Sequence, residues 1–131
     1  MIVLDTHVLV WWIGQPNRLT LRAKRSIQQA AEKKEILVSS ISIWEIYLLV
    51  KRGRLQLNMD VDSWVGKVES ISFLRFVPVD NRIASKSVTL PDPLHSDPAD
   101  RMIIATALTA GATLITADKR ILKYPLVQSL W

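Results

Sequence analysis

The sequence predicts an α/β fold, a mostly parallel central sheet with helices on both faces. Three observations carry this. Short apolar runs of strand length alternate with longer stretches that open on a capping residue. The turns between them are brief. Acidic residues fall where the strands end. Sheets of this kind bind ligands beyond the carboxyl ends of their strands, so acids distant in sequence become candidate neighbours.

The elements follow in order. Ile2-Val3-Leu4 is an apolar run stopping at Asp5, a buried strand. Thr6 is expected to cap a helix through Val8, Leu9, Trp11, Trp12 and Ile13, ended by Gly14 with Pro16 beyond. Thr20 caps a second helix over Leu21 to Lys34, and Ile36-Leu37-Val38 is the second strand. Ser42 and Glu45 have capping-box spacing at the head of a helix through Ile46 and Tyr47 to Arg52, closed by Gly53. Asp60 or Asp62 opens a helix bearing Trp64, Val65 and Val68; Arg75 to Val79 reads as a strand; Asp80 caps a helix through Ile83. A two-proline loop from Leu90 to Ser96 leads to Asp97-Pro98, the head of a helix reaching Gly111. Ala112 to Thr116 is a strand followed by Asp118, and Val127 to Leu130 a last short strand.

A length of 131 residues fits a single domain, 1–131, with a sizeable core. The absence of cysteine excludes disulfides, thiolate metal sites and a cysteine nucleophile, and suits a cytoplasmic protein. The N-terminal residues lack the basic lead of a signal peptide, and no apolar run approaches a membrane span. The net charge is +5, from 17 Lys and Arg against 12 Asp and Glu. With four acids sequestered around a metal, eight remain against 17 bases, a balance of +9 that suits a polyanion such as RNA or DNA.

Asp5, Glu45, Asp100 and Asp118 each fall at a strand end or in a first helical turn. Singly, each has a structural reading as a cap or strand stop. Gathered in one cleft, they would repel one another unless a cation held them. Carboxylate oxygens select Mg²⁺ or Mn²⁺, which activate water and stabilise charge on phosphorus. Asp97 reads as the helix cap, with metal contact open.

These residues resemble the PIN-domain nucleases, specifically the VapC-type toxins of toxin–antitoxin pairs. The resemblance runs through Ile2-Val3-Leu4-Asp5-Thr6, Ser42-Ile43-Trp44-Glu45, His95-Ser96-Asp97-Pro98-Ala99-Asp100-Arg101, Leu114-Ile115-Thr116-Ala117-Asp118 and the terminal Leu130-Trp131. It implies a PIN-like three-layer sandwich and a Mg²⁺- or Mn²⁺-dependent endoribonuclease held inactive by a cognate antitoxin. Carried over residue by residue, the catalytic and metal-binding acids are Asp5, Glu45, Asp100 and Asp118. Thr6, Thr116 and Asp97 stand behind them. Arg101 is expected to form an ion pair where the acids converge. His7 and His95 are structural or peripheral, the latter with a possible positioning part. Lys119 and Arg120, next to Asp118, line the cleft for RNA.

Five tryptophans exceed what so small a core can hold, so some surface is expected to meet a second copy or the antitoxin. Two rival readings differ in class. A phosphatase with Asp5 as nucleophile, in the manner of haloacid-dehalogenase-like enzymes, expects an aspartate two residues on, where this chain has His7. A PIN-like module that binds RNA or protein without cutting would not need four intact acids.

Overall fold

The computed structural model describes all residues from Met1 to Trp131. In chain order the elements are β1 (Ile2–Leu4), α1 (Thr6–Gly14), a 3-10 turn (Pro16–Arg18), α2 (Leu21–Glu32), β2 (Ile36–Ser39), α3 (Ser40–Lys51), α4 (Val61–Glu69), β3 (Leu74–Val77), α5 (Asn81–Thr89), α6 (Pro98–Ala110), β4 (Thr113–Ile115), α7 (Lys119–Leu122) and β5 (Ser129–Leu130).

The central strands are apolar on both faces, and alternate side chains enter different layers. Ile2, Leu4, Ile36, Val38 and Ile115 pack with α1, α2, α3 and α4. Val3, Leu37 and Leu114 pack on the other side with Ile103, Ile104 and Ala107 of α6 and Ile121 of α7. Helices therefore cover both faces, as the alternation of elements predicts. The sheet is wholly parallel, in the order β3-β2-β1-β4-β5, with Ile2 of β1 in register with Ile36 on one side and Thr113 on the other.

This order places the site. The chain leaves β1 toward β2 on one flank, while β4 lies on the other, so the strand order reverses at β1. A crevice opens at such a switch point. Asp5 sits at its centre, the head of α3 on one side and the 116–118 turn on the other.

Two caps differ from expectation. Asp5, not Thr6, caps α1: its backbone is extended and its carboxylate accepts from the Thr6 N–H at 2.9 Å. The strand passes into the helix with no intervening loop, so the last non-helical residue is the acid itself. The same holds at β2, where Ser39 caps α3 through the Ile41 N–H. Ser42 and Glu45 are thus both inside the helix and form no capping box. Thr20, Asp60, Asp80 and Asp97 cap their helices as their positions predict. Gly111 closes α6 with φ of 63°, a left-handed turn that glycine adopts without strain. The strand expected over Arg75 to Val79 lies instead at Leu74–Val77.

Of the tryptophans, only Trp64 is fully in the core, at 2% exposure, while Trp44 on α3 is 55% exposed. Trp131 rests against Trp11, with ring centroids 5.8 Å apart, and ties the C-terminus to α1.

Candidate active site

A cavity of about 420 Å³ at the carboxyl end of β1 is lined by Asp5, His7, Trp11, Glu45, Asp97, Asp100, Ala117, Asp118 and Arg120. All four acids singled out in the sequence face it, and Asp97 joins them.

Asp5 forms the floor. One carboxylate oxygen accepts from the Thr6 N–H and the other from the Thr116 hydroxyl at 2.6 Å. Thr116 Oγ1 in turn accepts from the Asp118 N–H at 3.1 Å, which couples the β4 turn to β1. Thr6 Oγ1 donates to Ser42 Oγ at 2.9 Å, pinning α1 to the first turns of α3 and thereby placing Glu45, one turn on. The two threonines and Ser42 are buried.

Asp97 caps α6 by accepting from the Asp100 N–H at 2.9 Å, and Pro98 starts the helix. Asp100 is then the third helical residue, aimed into the cavity. His95 reaches back across the cap: its Nε2 lies 2.7 Å from Asp100 Oδ2. Asp118 caps α7 and accepts from Arg120 through the backbone N–H at 2.8 Å, Nε at 3.2 Å and Nη2 at 2.9 Å. The same Nη2 lies 3.8 Å from Asp100 Oδ2.

Crowding shows in the acidities. Burial raises Asp5 above its ordinary value, against the Thr116 and Thr6 hydrogen bonds. Glu45 is raised by burial and by the charges of Asp5 and Asp97. Asp100 is pushed up to about 6 by burial, held back by the His95 hydrogen bond and raised further by Asp5, Asp97 and Glu45. Asp118 is lowered by its hydrogen bonds to Arg120.

Oxygens of Glu45, Asp97 and Asp100 come within 4.8 Å of one another, and so do ligand atoms of His95, Asp100 and Asp118. Asp100 is shared by both groups. An oxygen-rich donor set in which burial disfavours the ionised forms of Glu45 and Asp100 fits a hard divalent cation, whose charge would stabilise those forms. Asp5 lies outside these two groups and faces the same cavity.

Two roles expected from the residue order change once the side chains are in place. Arg101 forms no ion pair. Its Nε donates to the His95 carbonyl at 3.0 Å, Nη1 to the Ser87 carbonyl at 3.1 Å and Nη2 to the Leu94 carbonyl at 3.3 Å. These carbonyls belong to the two-proline loop and to the last turn of α5, which together spend all three guanidinium nitrogens on backbone. His95, read as structural or peripheral, touches Asp100 directly because of that clamp. A five-residue separation across a loop has no periodic signature, so only its nearness to Asp97-Pro98 marked it. Arg120 lines the cavity as expected, and Lys119 does not. His7 is exposed and stands beside Trp11, ring centroids 5.9 Å apart.

The fold and the five-acid cavity define a class, and the sequence agrees: the PIN-domain profile matches residues 2–126, and the chain belongs to the PIN-domain family. The chain is 35% identical over 132 residues to Ribonuclease VapC22 of Mycobacterium tuberculosis (strain ATCC 25618 / H37Rv), covering 99% of this chain and 98% of that protein. Its fold is similar to that of VapBC2 from Rickettsia felis bound to a promoter DNA fragment, with TM-score 0.72 and 19% identity over 99% of this chain and 98% of that one. It is also similar to a chain of a toxin-antitoxin complex from Klebsiella pneumoniae, with TM-score 0.64 and 20% identity over 100% and 97% of the two chains.

Proposed function

We propose that this chain is an endoribonuclease, the toxin of a type II toxin–antitoxin pair, and that residues 1–131 form one PIN domain acting in the cytoplasm. The observation that carries the reading is the convergence of Asp5, Glu45, Asp97, Asp100 and Asp118 on one cavity at the switch point of the sheet. Likeness to Ribonuclease VapC22 over nearly the whole chain supports RNA as the substrate.

Asp5, Glu45, Asp100 and Asp118, with Asp97 beside them, are the acids that would hold Mg²⁺ or Mn²⁺ in this cavity. When bound, the ion supplies positive charge that acidifies water and offsets the charge building on phosphorus. The protein's own groups do the rest. Thr116 and the Thr6 N–H fix the Asp5 carboxylate, so it meets the substrate in one orientation. His95 fixes one oxygen of Asp100 and leaves the other free. Arg120, bound to Asp118 and near Asp100, places a cation at the rim where a phosphate oxygen arrives.

A cognate antitoxin and a second copy of the chain are the proposed protein partners. Trp44 and Tyr47, both exposed on α3, lie with Leu48, Val50 and Val61 in an apolar hollow suited to such contact.

The test is cleavage of total bacterial RNA by purified protein with Mg²⁺, followed by mapping of new RNA ends. Cleavage by the wild type, lost in Asp5→Ala and Asp100→Asn of unchanged fold, is the expected result. A wild type that binds no Mg²⁺ or Mn²⁺ and cuts nothing refutes it.

A further inference from the structure

We propose that the groove beside the acidic cavity seats the RNA strand flanking the cut, with Arg18, laid over Trp11, as its phosphate receptor. This rests on the ribonuclease reading above and adds where, and by which residues, the substrate is held. The groove has a volume of about 600 Å³ and lies between α1, the Pro16–Arg18 turn, the segment at 54–58 and α4. His7 and Trp11 line both it and the acidic cavity, so groove and cavity are neighbours that meet at a shared wall and together make the trough.

Charge reverses across that shared wall. Five carboxylates line one side; Arg18 and Arg54, with no carboxylate, line the other. A polyanion whose scissile phosphate lies at the acids must set its neighbouring phosphates on adjoining surface, and only cationic surface holds them there.

Arg18 is prepared for this. Its guanidinium carbon lies 4.6 Å from the centroid of the Trp11 ring, so attraction to the ring orients it. Trp11 is braced by His7 at 5.9 Å and Trp131 at 5.8 Å. The protein's salt bridges engage Met1, His95 and Arg120, and none takes up Arg18 or Arg54. An arginine fixed in place with its charge unspent binds phosphate and stacks on bases. Gln15 and Asn58, also in the lining, supply amide donors and acceptors for a base edge.

The test uses a short fluorescein-labelled single-stranded RNA of randomised sequence, with binding read by fluorescence anisotropy in the full chain carrying Asp100→Asn, so that the RNA stays intact. Arg18→Ala and Arg54→Ala are each expected to weaken binding about tenfold and to lower the slope of log affinity against log salt by about one. Arg18→Lys recovers part of the loss, and Arg82→Ala on α5, outside the trough, changes binding less than about twofold. In the otherwise native chain, Arg18→Ala slows RNA cleavage while leaving Mn²⁺ affinity unchanged, and circular dichroism melting confirms that each variant folds. Undiminished RNA binding by both alanine variants, with a wild type that cleaves, overturns the groove and leaves the ribonuclease reading standing. A wild type that neither binds nor cleaves RNA refutes both. Loss of binding to an antitoxin peptide with RNA binding intact assigns the groove to a protein partner and overturns the proposal.

Discussion

His95 Nε2 lies 2.7 Å from Asp100 Oδ2, and Arg101 holds the backbone of that histidine through its carbonyl at 3.0 Å. The acid at the heart of the cavity is therefore oriented by a loop residue, and that loop is held by the arginine next to the acid in sequence.

Removing the imidazole leaves Asp100 crowded with no donor to steady it. His95→Ala is expected to lower the cleavage rate and weaken Mn²⁺ binding, each by about 10- to 100-fold. His95→Gln, which keeps an N–H donor, should recover part of both. Calorimetric titration of Mn²⁺ decides it: unchanged affinity in His95→Ala would show that the contact does not support the site.

Arg101→Lys should behave almost as badly as Arg101→Ala, because an ammonium cannot reach the Ser87, Leu94 and His95 carbonyls together. Both variants should lose about 1–3 kcal/mol of stability in urea titrations, as partly buried carbonyls go unpaired. Hydrogen exchange should rise between Leu90 and Ser96. An unaffected loop would mean the clamp is dispensable.

The metal-free protein should grow less stable as pH rises from about 4 to about 6. Unfolded carboxyls release their protons near pH 4. Asp100, pushed up to about 6, still holds its proton in the folded chain, and burial shifts Asp5 and Glu45 in the same direction. The native state thus binds more protons across that window, and raising the pH strips them at a cost to folding. Asp118, lowered by Arg120, acts in the opposite sense but below the window. Scanning calorimetry in EDTA should give a higher Tm near pH 5 than near pH 7.5, and saturating Mn²⁺ should remove the difference. A Tm that climbs over this range would contradict the crowding.

By the same reasoning, Asp100→Asn should melt a few degrees above the wild type in EDTA while losing RNA cleavage. The amide keeps the backbone N–H that Asp97 caps and sheds the repelled charge. A destabilised Asp100→Asn would mean that the carboxylate supports the metal-free fold.

Thr116→Val removes a donor to Asp5 and an acceptor for the Asp118 N–H in one substitution. The site is fully buried, so the loss should be about 1–3 kcal/mol, accompanied by slower cleavage. Thr116→Ser restores both bonds and should restore most of the activity; a valine variant as active as wild type would remove Thr116 from the site.

The layers, most helix starts and the identity of the acids are legible in the residue order alone. Ile2-Val3-Leu4, Ile36-Leu37-Val38 and Ala112 to Thr116 are short, apolar on both faces and separated by helices, and little but a covered parallel sheet accommodates that. Asp97-Pro98 and Thr20 announce their helices because capping is a local hydrogen bond, complete within four residues. The direction of Arg101, the contact of His95 with Asp100, the transfer of capping from Thr6 to Asp5 and the trough joining Trp11 to the acids became visible only once the chain was folded. Each depends on where a folded-back loop or a neighbouring strand leaves a carbonyl, a hydroxyl or a ring face, and residues far apart along the chain create those positions together.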